Sequence, residues 1–389
     1  MFNKALLNKD VQNFIRAFEG DISNLAFAGS PFQNVSVQEL IQQIASRQKI
    51  EKKLPTWFET QNILFPPKLN LEQTSSEITA QYKASLVSGK TLSDITGGFG
   101  VDSYYFSEYF KSIHHFEHNE TLSEIAKHNF EVLGATSVNC ATEDGLQAVI
   151  NNHYDVIFAD PSRRHDSKGK VFFLKDCEPN IPKNISEILN ACETFLLKTS
   201  PMLDISVGLN ELNNVSEIHI VAVDNEVKEL LWLFQKNISE KLIIKTINFS
   251  KSKVERFLFD WDAAGTANYS VPQKYLYEPN AAILKSGAFE LISEKFKIDK
   301  LHKNTHLYTS ENLIDFPGRR FLIENVTPYS KKEIRAVLDF KKANITIRNF
   351  PESVAMLRKK WKIEDGGDRY LFFVTNIEDK KEMIICSKV

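Results

Sequence analysis

Residues 94–100 read Asp94-Ile95-Thr96-Gly97-Gly98-Phe99-Gly100. They follow a short apolar run, Thr91–Ile95, and precede a helical pattern over Ser103–Phe110. Glycines at such a strand-to-helix junction let the backbone turn sharply and pass close to a ligand. An acid leads these glycines. A dinucleotide fingerprint would read G-x-G-x-x-G with no acid ahead of it.

Outward from this turn, apolar runs alternate with helical stretches. The runs are Thr91–Ile95, Ile113–Glu117, Ser137–Cys140, Tyr154–Ala159, Thr194–Leu197 and Glu217–Val223. Strand–helix alternation predicts a parallel sheet with helices on both faces. Ligands of such sheets bind beyond the carboxyl ends of the strands. The residues that end each run are therefore the candidates.

Asp94 would hold the amino-acid end of a ligand, over the turn made by Thr96, Gly97, Gly98 and Gly100, with Asp102 just past it. Glu117 lies 23 residues after Asp94, the spacing at which a second strand places an acid on ribose hydroxyls. Glu143 and Asp144 end the third run and would accept from an adenine amino group. The fourth run ends in Asp160-Pro161-Ser162-Arg163-Arg164. Proline makes that loop rigid, and arginine forks bind phosphate or carboxylate bidentately. Singly, each signal has a plainer reading: a glycine turn, an exposed glutamate, a helix-capping acid, solvated arginines. Four in order on one frame are far more specific. Acid first, then G-G-x-G, favours S-adenosylmethionine over a dinucleotide.

At these residues the chain resembles class I methyltransferases, in particular those acting on RNA. Asp94-x-Thr96-x-Gly98-x-Gly100 is similar to the D-x-[FT]-x-G-x-G variant of RNA and DNA methylases. Asp160-Pro161-Ser162-Arg163 sits where that class carries N/D-P-P-[YF] or D-P-P-R, without an aromatic to stack on a flipped base. Lys198-Thr199-Ser200-Pro201 resembles the Lys-x-Pro of ribosomal RNA guanine-N2 methyltransferases. The layout also resembles a bacterial family of methyltransferases with a C-terminal THUMP-like domain. It includes Glu72–Glu77, Glu226–Leu231, Glu278-Pro279-Asn280-Ala281-Ala282 and a terminal α+β unit.

That resemblance implies a Rossmann-like class I methyltransferase core, S-adenosyl-L-methionine as cofactor, and structured RNA as partner, since THUMP modules bind RNA. The expected catalytic set is Asp160, Pro161, Ser162, Arg163 and Lys198. Asp160 would orient or deprotonate the acceptor, and Lys198 would neutralise a phosphate.

The flanks complete the expected plan. Residues 1–84 read as helical, with Ser36 and Glu39 placed for a capping box and a helix over about Leu71–Val87. Residues 85–250 form the core. Residues 251–318 connect it, with Glu278–Phe296 read as helical, to a β-α-β-α-β-β domain at 319–389. Trp232 and Phe234 are read as core residues of a helical run.

The chain has 389 residues and a net charge of −2. The whole-chain charge makes no case for nucleic acid, but residues 320–389 hold 15 Lys+Arg against 10 Asp+Glu. Those residues are expected to form a separable RNA-binding unit. Phosphate contacts are expected from Lys331, Lys332, Arg335, Lys341, Arg348, Arg358, Lys359 and Lys360. Four scattered cysteines form no Cys-x-x-Cys pair. That fits a reducing, cytoplasmic compartment with no metal site. No apolar run spans a bilayer. Cys177 and the histidines beside Glu117 are read as structural. Two alternatives stand beside the RNA enzyme: a methyltransferase of a small molecule or protein, and a non-catalytic adaptor.

Overall fold

The computed structural model describes residues 2–163, 173–236 and 241–389. The chain divides into two compact units, residues 1–217 with 230–240, and residues 218–229 with 241–389.

The first unit opens with helices, among them Lys9–Ala17, Ile22–Ala28 and Val37–Ile50. Ser36 and Glu39 close the capping box before Val37–Ile50 reciprocally. The helix expected over Leu71–Val87 is instead two, Lys68–Gln73 and Glu77–Ala84. Ser76 is the reason: its side chain caps the second helix by accepting from the Thr79 N–H, which needs an extended backbone at Ser76.

The sheet follows. Its parallel strands are β1 (Thr91–Asp94), β2 (Ser112–Phe116), β3 (Val138–Ala141), β4 (Tyr154–Ala159) and Cys192–Thr199. Across the sheet the order is Cys192–Thr199, β4, β1, β2, β3. The chain winds outward from β1 in one direction and returns to β1's other side at β4. The carboxyl ends of β1 and β4 thus flank the switch point where a doubly wound sheet opens a crevice.

Residues 230–235 pair antiparallel with Cys192–Thr199. The helical run expected around Trp232 and Phe234 is therefore a strand, Glu226–Gln235. Leu230 to Phe234 are all buried, as expected of core residues, so the run has no polar face from which a period could be read. Ahead of it, Asp224 and Asn225 both take positive φ, 49° and 64°. That is the two-residue turn of a hairpin, and it is what makes the segment extended.

In the second unit Ile243–Phe249 pairs antiparallel with Val254–Asp260. A seven-stranded sheet follows, ordered Asp299–Lys300, Tyr308–Ser310, Tyr275–Pro279, Gly318–Pro328, Lys381–Lys388, Arg369–Thr375, Asn344–Arg348. The β-α-β-α-β-β order expected at the C-terminus is present, with helices Lys331–Val337 and Val354–Trp361. Both faces of this sheet are covered. Leu371, Phe373, Met383 and Ile385 pack with Ile334 and Leu357, while Phe372, Val374, Ile384 and Cys386 pack with Leu276 and Phe321. Strand period two explains this sorting of neighbours to opposite faces.

Glu278–Phe296 is not one helix. Tyr275–Pro279 is a strand, and helices Ala281–Ser286 and Phe289–Phe296 follow, the first capped by Asn280. The sheet also runs through the expected 318/319 boundary, because Gly318–Pro328 pairs with Tyr275–Pro279 on one side and Lys381–Lys388 on the other. Glu278, 3% exposed, joins the same pieces by ion pairs to Arg319 (Nε at 2.6 Å) and Arg348 (Nη2 at 2.7 Å). A chain cut near Arg319 would break a shared strand and strand this carboxylate.

Removing one partner of a fully buried pair costs about 3–5 kcal/mol. Both arginines here keep about a third of their side chains in solvent. Glu278→Ala should therefore cost nearer about 2 kcal/mol. Urea denaturation measures it, and an unshifted midpoint would remove the ion pairs from the stability of this unit.

Candidate active site

Asp94 ends β1 with its carboxylate buried. Oδ2 accepts from Ser103 Oγ at 2.7 Å, and Oδ1 accepts from the Thr96 N–H at 3.1 Å. Burial pushes this carboxyl up to about 7, with Asp102 and Asp160 adding repulsion, despite the two hydrogen bonds.

The turn after it is laid across the end of β2. The Gly97 N–H donates to the Phe116 carbonyl at 2.8 Å, and a Cβ at Gly97 would run into the buried His115 ring. Gly98 takes φ +57° and donates its N–H to Glu117 Oε2 at 2.9 Å. Gly100 takes φ +85° and starts helix Val101–Phe106, and a Cβ there would strike the Phe130 ring. Side chains are excluded at 97 and 100 by their neighbours, and left-handed backbone disfavours them at 98 and 100.

Glu117, directly after β2, is 8% exposed. Its Oε1 accepts from the Asn119 N–H at 2.7 Å, and His118 lies 3.4 Å from it. His115 is a core residue whose imidazole is pushed down to about 4 by burial, and it meets Phe130 edge-on. His114 packs on Tyr154. Among the described residues no group of three or more His, Cys, Asp or Glu could hold a metal ion.

At the end of β3, Glu143 is exposed. Asp144 caps helix Gly145–Ile150, its Oδ1 accepting from the N–H groups of Leu146 (2.9 Å) and Gln147 (3.2 Å). Asp102 points to the N-terminal helices, pairing with Lys83 and accepting from Ser75 Oγ.

Asp160 directly follows β4 and is joined to the turn after β1, since its N–H donates to Thr96 Oγ1 at 2.6 Å. Its Oδ2 is ion-paired with Lys198 Nζ from the neighbouring strand. Both residues stand out in the sequence, but the pair between them exists only in the fold. Pro161 is buried. Ser162 and Arg163 are exposed, in a two-stranded ribbon with Cys177–Glu178. Arg164 lies outside the described residues. Burial pushes the Cys177 thiol up to about 11, so it is no thiolate at neutral pH. Trp232 is spent on packing, its Nε1–H donating to Thr199 Oγ1 at 2.9 Å.

Two residues with no sequence motif also belong here. Ser103 holds Asp94, and Lys83 holds Asp102. Lys83 had a signal, since it shares the buried face of its helix with Thr79, Ala80 and Ala84.

Two known domain families match the second unit, a ferredoxin-like domain over residues 275–317 and a THUMP domain-like module over residues 318–388. The crystal structure of a candidate methyltransferase from Porphyromonas gingivalis is 30% identical in sequence, covers 100% of both chains, and superposes with a TM-score of 0.90. The chain belongs to that protein's family. It is a family of methyltransferase-fold proteins with a C-terminal THUMP-like domain. Looser similarities include an rRNA methylase from Streptococcus thermophilus (14% identity, 42% of this chain and 95% of that one, TM-score 0.31). Another is a candidate RNA methyltransferase from Pyrococcus horikoshii (14%, 47% and 97%, 0.33). Likeness at that level carries no weight for this family member. No protein of curated function matches the sequence. No helix among the described residues is long and apolar enough to cross a membrane.

Proposed function

We propose that this chain is an S-adenosylmethionine-dependent methyltransferase of the cytoplasm that modifies structured RNA. One observation carries the reading. Two buried acids, Asp94 and Glu117, bracket a turn with no room for a side chain at Gly97 or Gly100, and the polar pair Asp160–Lys198 stands at the adjacent strand end.

These residues fit the cofactor. Asp94 would take its amino-acid end, Glu117 its ribose, and Glu143 or Asp144 its adenine, with Thr96, Gly97, Gly98, Gly100 and Asp102 shaping the cradle. When bound, the sulfonium supplies an electrophilic methyl group. The chain's own task is then alignment. Asp160, fixed by Thr96 and Lys198, would orient the acceptor and take its proton, and Arg163 would hold an acceptor phosphate. Ser162 and Pro161 shape that loop.

A pH dependence follows. Asp94 must be ionised to hold an ammonium group, and burial places its carboxyl at about 7. Affinity for S-adenosylhomocysteine should fall as pH drops below about 7, by up to about tenfold per unit. Calorimetry at pH 6 and 8 tests this, with Asp94→Asn as control. The same carboxyl bears on folding with the opposite sign. Its folded pKa is raised, so its contribution to stability is full at low pH and is lost as pH rises toward about 7.

For the acceptor, support comes from the THUMP-like module. Lys331, Lys332, Arg335, Lys341 and Lys359 are exposed there. The other three cations expected on phosphate have internal partners. Arg348 pairs with Glu278, Arg358 with Asp365 and the Ala343 carbonyl, and Lys360 with Glu352 and the Tyr329 hydroxyl. Reversing Lys331, Lys332 and Arg335 to glutamate should weaken RNA binding and flatten its salt dependence, by about one unit of log–log slope per lost contact. RNA affinity equal to wild type would favour a small-molecule or protein acceptor. The deciding experiment for the whole reading is mass spectrometry of modified nucleosides in tRNA and rRNA from a deletion strain. No missing methyl group would sink the RNA assignment.

A further inference from the structure

The helical segment ahead of the sheet grips the glycine turn at two points, both within the first unit. Phe99 is the one large side chain inside the turn, and it is buried. Its ring lies 4.7 Å from that of Trp57 and 6.5 Å from that of Phe65. Just past the last glycine, Asp102 pairs with Lys83 Nζ at 3.2 Å and accepts from Ser75 Oγ at 2.8 Å. Lys83 also donates to Ser75 Oγ at 3.0 Å.

Lys83 is wholly buried, at 0% exposure. Removing an ammonium group from water is costly unless it is paired and hydrogen-bonded. A helix that only covered the sheet would carry an apolar residue at that position. A buried cation instead ties the helix to Asp102 in a defined geometry, because moving that carboxylate away would take an opposite charge from a lysine that has no exposure to water.

We propose that the segment bearing Trp57, Ser75 and Lys83 is a working part of the cofactor pocket. Lys83 is a positioning residue, holding the Gly97–Gly100 turn through Asp102 while Trp57 and Phe65 clamp Phe99. The proposal rests on the cofactor reading above, and its test separates the two. Hydrogen exchange is measured on the full chain without ligand, in wild type, Lys83→Met and Asp102→Asn. Ile188→Ala, buried on helix Ile181–Asn190, serves as a destabilised control.

Amides of the 97–103 segment should exchange at least about tenfold faster in the two turn variants than in the control. Affinity for S-adenosylhomocysteine should fall by about the same factor, as a smaller fraction of molecules presents a competent turn. Wild-type protection of the turn in folded Lys83→Met and Asp102→Asn would overturn the proposal. So would equal loss of protection in Ile188→Ala. A wild-type chain that binds no S-adenosylhomocysteine would overturn the cofactor reading, and exchange alone would then decide whether Lys83 holds the turn.

Discussion

Asp160→Asn should cut methyl transfer by roughly 10²–10⁴ while leaving cofactor affinity within about threefold, the share usual for a positioned acid–base group. Asparagine keeps the size of the side chain and an oxygen for Lys198, so the loss would report the carboxylate. Asp160→Ala is the harsher variant. It also leaves Lys198, whose side chain is 12% exposed, without the partner at the neighbouring strand end. Some of its effect would therefore be structural, and thermal denaturation beside kinetics separates the two. A folded, cofactor-binding Asp160→Asn protein with normal turnover would remove Asp160 from the mechanism. Arg163→Ala should instead raise the acceptor KM with little change in kcat, as when uniform binding is lost.

Glu117→Ala should weaken S-adenosylhomocysteine binding by about 1.5–3 kcal/mol, the worth of hydrogen bonds to a charged acceptor. That is a loss of roughly tenfold to a hundredfold or more. The carboxylate also accepts from the backbone N–H groups of Gly98 and Asn119, so its removal loosens the turn as well. Ligand-free thermal stability measures that second effect, and calorimetry far below the melting temperature measures the first. Wild-type affinity in the variant would take Glu117 out of the site. Preference of the wild type for NAD, or binding of neither ligand, would overturn the core assignment.

The parallel sheet was legible because its strands are short runs closed by turn chemistry that alternate with helical stretches, and three of them meet the crevice at an acid. Asp94, Glu117 and Asp160 stand out as candidates for that reason. The C-terminal α+β unit was legible from the order of its elements, and its THUMP-like character only from the family resemblance. Where a run had no polar face, pattern was not enough. Leu230–Phe234 is apolar throughout, and only the left-handed Asp224-Asn225 turn distinguishes a strand from a buried helix.

What the sequence by itself determined is local. Glycines at 97, 98 and 100 dictate a tight turn, Ser36 with Glu39 dictates a helix start, and alternation of strand and helix dictates a doubly wound sheet. Tertiary structure decided how charges are matched. Arg348 is basic in any reading of the sequence, yet the buried Glu278, brought to it by the fold, claims it. Asp160 meets Lys198 across adjacent strands, and Asp102 turns away from the crevice to Lys83. The physical reason is that backbone preference is written in neighbours along the chain. A charge taken out of water pairs instead with whichever opposite charge the fold brings within reach.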